Sequence, residues 1–240
     1  MSLRLGILIA GSLYWRTEAY RVEWRSKHLN ADASVAVNIP IRYGRLSSSQ
    51  TYTMVYAPGC PEELGKIMPC ARLVSTAAEV IREAKALWVA EQLFGSRPNP
   101  QGELSADWGC VALLANPNRD VSRHIFEEWV AKVSGERGRR GLPTYDATHY
   151  RVKGRSAIDD HGILQIPWPA VANSEVLDNF DLLLATATRP SPDRATGDYP
   201  AVAAIAGAWN KKGDADYFRM NRKFGFRTFQ DDAIDALLTV

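Results

Sequence analysis

Apolar residues come in short bursts along this chain, and the period of each burst predicts its element. Residues 3–10 form an apolar run ending at Gly11-Ser12, which predicts a buried strand leading into a turn. Residues 17–29 mix polar and aromatic positions and predict a helix. Residues 34–43 are β-branched and partly alternating, and residues 51–56 alternate again; the Gly- and Ser-rich stretch 44–50 between them predicts a hairpin loop. Pro61-Glu62-Glu63 has the form of a helix start, with proline at the first position and acids in the first turn, and Pro69 interrupts that helix. From Thr76 to Glu79 the sequence has the capping-box form T-x-x-E. Behind it Val80, Ile81, Ala84, Leu87, Trp88 and Phe94 recur at helical spacing until Gly95, and a Pro/Asn/Gly loop over 96–102 follows.

The second half continues the alternation. Residues 108–115 predict an apolar strand, then the turn Asn116-Pro117-Asn118, then a helix over 121–133 capped by Asp120. A basic, glycine-rich loop covers 135–141, and residues 149–153 and 163–166 read as two strands around a turn at 159–162. Residues 181–187 predict a further strand, residues 189–197 a loop, and the remainder three helices at 199–209, 214–224 and 231–238. This order predicts an α/β (or α+β) fold, three-layered, with helices packed on a sheet of about five to seven strands. The strands at 34–43 and 51–56 are joined too briefly for a parallel crossover, so the sheet is expected to be mixed. No repeat and no shift of composition divides the chain, and one domain over 1–240 is the expectation.

Composition narrows the class. Apolar residues make up 46% and charged residues 23%, near the average of globular domains. The net charge of +2 is too balanced to point to nucleic acid. The longest apolar runs fall short of the ~18 residues a membrane helix requires. Arg4 ahead of residues 5–13 resembles a secretory leader, but Arg16 and Glu18 follow directly and no small-residue cleavage site does. Three cysteines, Cys60, Cys70 and Cys110, are an odd and sparse set, which fits reduced thiols in a cytoplasm. The phosphate-loop, dinucleotide, nucleophile-elbow, zinc-protease and paired C-x-x-C signatures are absent, and the sequence implies no cofactor and no metal.

Candidate chemistry rests on constellations instead. Gly11, Ser12 and Tyr14 follow the first strand, where open α/β sheets bind ligands outside the carboxyl ends of their strands. Arg42 and Arg45, beside Ser47, Ser48 and Ser49, suit a small anionic ligand, because arginine presents a rigid fork of donors. Cys60 precedes the expected helix start at Pro61, where the helix dipole would favour thiolate and a cysteine nucleophile; His149 or His161 would be its base, and Glu62 and Glu63 oppose it. Asp159-Asp160-His161-Gly162 with His149 offers metal-ligand or acid–base types at no standard spacing, and equally an ordinary hairpin turn. Residues 217–229 interleave phenylalanines with arginines and lysine in the manner of single-strand binders, but Asp231, Asp232 and Asp235 follow and cancel much of that field.

The apolar strand closed by Gly11-Ser12 is similar to the opening of γ-glutamylcyclotransferase-like proteins over those few residues. No catalytic acid matching that family can be placed, so no role is carried over. Two readings of function therefore compete. One is a small-molecule enzyme of hydrolase or transferase type, with Ser12, Tyr14, Arg42, Arg45 and Ser48 holding an anionic substrate and Cys60 or His161 reacting. The other is a non-catalytic subunit or binding module of a larger assembly, for which seven tryptophans and many arginines would supply an interface.

Overall fold

The computed structural model describes residues 2–92, 103–138, 140–170 and 179–240. Its strands are β1 (Leu5–Ile9), β2 (Val35–Leu46), β3 (Tyr52–Tyr56), β4 (Glu62–Pro69), β5 (Ser105–Ala106), β6 (Gly109–Ala115), β7 (Arg151–Val152), β8 (Arg155–Ser156) and β9 (Leu182–Thr188). Its helices are α1 (Ala19–His28), α2 (Ala77–Gln92), α3 (Arg123–Ser134), α4 (Val202–Lys212), α5 (Asp216–Lys223) and α6 (Asp231–Asp235). A seven-stranded sheet runs in the order β3-β2-β4-β1-β9-β6-β5. Among the described residues the β1–β9 pair of this sheet is parallel and the other strand pairs are antiparallel. This is the mixed α/β architecture expected.

The opening strand lies at the middle of the sheet, and all its residues are buried. That is why it reads as an unbroken apolar burst rather than an alternation. Helix α2 packs against both α1 and α3, and Trp88 of α2 and Trp129 of α3 are wholly buried. The capping box of α2 forms: the Glu79 amide donates to Thr76 Oγ1 at 3.3 Å, and the Ser75 and Thr76 amides donate to Glu79 Oε2 at 2.6 and 3.2 Å. Helices α4 and α5 pack on β2, where the Tyr43 ring meets Trp209 edge-on at 5.1 Å and Phe218 at 6.0 Å. Among the described residues no helix is long and apolar enough to cross a membrane.

Strand β2 shapes the site. Its first half, through Pro40, pairs with β4, and its second half, from Ile41, pairs with β3. A bulge between Tyr43 and Arg45 turns the second half, as bulges do by adding local twist. Gly44 sits in the bulge because an added Cβ would lie 2.7 Å from Val55 Cγ2 and 3.0 Å from the Tyr199 ring. The twisted β2–β3 ribbon at the sheet's edge thus brings β3 against β9 and the end of β1. Tyr56 fastens it by donating its hydroxyl hydrogen to the Leu8 carbonyl at 2.9 Å, and Ser191 fastens it by donating from N–H to the Gly44 carbonyl at 2.8 Å.

Several local expectations are corrected. Residues Glu62–Pro69 form a strand, not a helix. The proline-plus-acids signal there is three residues long and lacks helical periodicity behind it, whereas Gly65, Ile67 and Met68 fit between β1 and β2. The hairpin loop is shorter than expected because β2 continues to Leu46. Helix α3 starts at Arg123 behind Ser122, so Asp120 is not its cap. His149 lies in a 3-10 turn, Ala147–Tyr150, ahead of the small β7–β8 hairpin. Ile163 makes only a single bridge, to Leu113. Phe94, Gly95 and the loop at 96–102 lie outside the described residues.

Candidate functional site

The turn after β1 is set by backbone geometry. Gly11 has φ +127°, and a Cβ there would come within 2.8 Å of the Tyr217 hydroxyl, so only glycine fits without strain. The Trp15 and Arg16 amides donate to the Ser12 carbonyl at 3.2 and 3.0 Å. Arg25 of α1 locks the same turn by donating to the carbonyls of Leu13 at 2.7 Å and Arg16 at 2.6 Å. Trp15 Nε1 donates to Asn221 Oδ1 of α5 at 2.8 Å, tying the turn to the C-terminal helices.

Between this turn, the β2–β3 ribbon, the end of β9 and helices α2 and α5 lies a cleft of about 990 Å³. Its wall carries Arg16, Arg21 and Arg45 together with Glu91. Arg21 is 2% exposed and donates to the Ala90 carbonyl at 3.2 Å and to Glu91 Oε2 at 3.3 Å. Arg16 pairs with Glu18 at 3.1 Å. Arg45 lies over the Trp108 ring at 4.9 Å, and Trp108 in turn stacks on Trp88 at 5.3 Å. Among the described residues no carboxylate oxygen comes within 4.0 Å of the Arg45 guanidinium. Burial pulls Arg45 below the ordinary arginine value, opposed by Tyr217 and Glu91, and an arginine so placed still carries its charge at neutral pH. Burial raises Glu91 above the ordinary glutamate value, against the pull of Arg21, Arg45 and Arg16.

The structure brings together Ser12, Arg45 and Ser48, all on the cleft wall. It places the other candidates elsewhere. Tyr14 turns away and packs edge-on against Phe224 and Phe226 at 6.0 and 5.6 Å, with Lys66 Nζ 4.4 Å over its ring. Arg42 leaves β2 on the other side of the bulge and is held over Tyr199 at 4.4 Å and Phe229 at 5.3 Å. Because Glu62–Pro69 is a strand, Cys60 faces no helix dipole. Burial instead pushes its thiol up to about 11, with Arg42 pulling down and Glu62 and Glu63 pushing further up. His161 is exposed in its turn, with its amide donating to Asp159 Oδ1 at 2.9 Å; that oxygen also accepts from the Ile163 amide, so the aspartate is spent on the turn. His149 lines a separate hollow of about 400 Å³ with Arg140 and Arg189. Among the described residues no group of three His, Cys, Asp or Glu could hold a metal ion. In the basic-aromatic stretch Phe218 and Phe226 are core residues.

Sequence reasoning passed over Glu91, Arg21, Arg16 and Trp108. Two of these carried a signal. Glu91 continues the buried stripe Val80, Ala84, Leu87 of α2, and Arg21 shares the buried face of α1 with Trp24. A charge on an apolar stripe marks a group held for a reason other than packing. No protein-family model, no curated protein and no solved structure matches this chain.

Proposed function

We propose that the cleft binds a small anionic molecule and carries out a hydrolytic or group-transfer step on it. Arg45 is the observation that supports this reading. It is a permanent cation, stacked on Trp108, partly removed from water and without a carboxylate within 4.0 Å among the described residues. A desolvated, unpaired cation is costly, and an anionic ligand relieves that cost. Ser12 and Ser48 add hydroxyl groups on the same wall.

Glu91 supplies acid–base chemistry. Burial raises its carboxyl above the ordinary glutamate value, which favours a group that takes up and returns a proton. Ionised, it accepts the proton of an attacking water or hydroxyl; the same proton then passes to the leaving group, so the carboxylate is regenerated. Arg21, bonded to Glu91 at 3.3 Å, fixes the carboxylate's position.

The test is calorimetric titration of the full chain with inorganic phosphate and with citrate at low ionic strength. The expected result is binding of at least one anion, weakened about tenfold or more in Arg45→Gln, which removes a charge-assisted bond. Circular dichroism establishes that the variant is folded. Binding of neither anion, or equal affinity in Arg45→Gln, overturns the reading.

A further inference from the structure

We infer that the anionic end of this molecule is an oxyanion seated between Arg45 and the hydroxyls of Thr186 and Thr188, an assignment that rests on the reading of the cleft above. On β9 the residues Leu182, Leu184, Thr186 and Thr188 share one face, because side chains alternate along a strand. The two leucines are fully buried, and the two threonines follow where the strand reaches the cleft, whose wall both of them line. Their Oγ1 atoms are buried and have no hydrogen-bond partner among the described residues. Buried hydroxyls without partners are costly and rare. Valine has the same shape and would fill both positions without that cost, so packing alone does not account for the hydroxyls. Serving a ligand does.

Both threonines line the same cleft as Arg45 and Trp108. Thr188 pairs with Gly109, the residue after Trp108, and Trp108 carries the Arg45 guanidinium over its ring. Gly109 has no side chain to intervene; a Cβ there would lie 2.7 Å from the Ala187 carbonyl oxygen. Arg45 is a donor only, and each threonine hydroxyl donates one hydrogen. A group that satisfies all of them at once offers several acceptor lone pairs and a negative charge, as a carboxylate or a phosphoryl group does. A cationic or uncharged end would leave Arg45 unrelieved.

The experiment compares wild type, Thr186→Val, Thr188→Val, the double variant, Thr188→Ser and Arg45→Gln, titrated with inorganic phosphate and separately with succinate. Each valine is expected to weaken binding about tenfold, the double variant more, while the serine variant retains affinity because it keeps the hydroxyl. Thermal stability of the valine variants should equal or exceed that of wild type. Response to phosphate alone identifies a phosphoryl end, and response to succinate a carboxylate end. Valine variants that bind as wild type does, while Arg45→Gln does not bind, overturn the threonine assignment and leave the Arg45 reading standing. A wild type that binds neither probe removes both. Should valine prevent folding, Thr→Ala at the same positions decides the matter by the same affinity criterion.

Discussion

Replacing Tyr56 with Phe removes one oxygen from the joint between the β2–β3 ribbon and the central strand. That oxygen is buried, and its hydrogen is donated to the Leu8 carbonyl at 2.9 Å. Burial raises the phenol well above the ordinary tyrosine value, so the group remains a donor over the whole working pH range. The ring is retained, so the cavity term is small. The loss is one neutral hydrogen bond to a carbonyl whose residue is also paired in the sheet on both sides, about 0.5–1.5 kcal/mol. For a chain of this length that corresponds to a fall in Tm of about 2–4 °C per kcal/mol. Urea unfolding followed by circular dichroism measures it as a lower midpoint at unchanged slope. The same ribbon carries Arg45, so anion affinity should fall in parallel. A destabilisation under about 0.5 kcal/mol, within the range of indifferent surface changes, would refute the idea that this bond fastens the ribbon.

The fold was legible where one pattern acted alone. The opening burst, the alternation at 51–56, the capping box before α2 and the apolar run of β9 each had a single period and appear as expected. It was misread at Glu62–Pro69, where a short local signal, proline followed by two acids, outweighed a strand specified by its neighbours. Pairing with β1 and β2 is long-range, and no window of sequence contains it. The error carried into the site, because the expectation of a reactive Cys60 depended on that helix. Strand-end logic named Ser12 and the arginine fork named Arg45, and both line the cleft. Which of the two arginines faces the cleft was not legible, since the bulge at Tyr43/Arg45 decides it and bulges have no reliable sequence mark beyond a glycine. Glu91 was legible only in retrospect, as an acid on an otherwise apolar stripe.

The remaining expectations concern protonation. Alkylation of Cys60 by iodoacetamide, read from its own peptide by mass spectrometry, should accelerate about tenfold per pH unit through pH 9, since the thiol is pushed up to about 11 and only thiolate reacts. A plateau near pH 8 would mean an activated thiol and would restore Cys60 as a nucleophile. For Glu91 the sign follows from linkage. Its carboxyl is raised in the folded chain, chiefly by burial, so folding favours the protonated form. The stability it contributes is complete below the ordinary glutamate value and is lost as pH rises through its raised folded value. Glu91→Gln cannot ionise and does not lose it. Denaturant unfolding at pH 4 and pH 7 should therefore show the glutamine variant gaining on wild type at the higher pH, while other groups cancel in the difference. In turnover of any substrate found, the same variant should lose about 10²–10⁴-fold, the usual weight of a general acid–base. A glutamine variant that instead loses ground to wild type at pH 7 would mean that the Arg21 ion pair, not desolvation, governs this carboxyl. Glu91 would then be a structural partner of Arg21 and not an acid–base group.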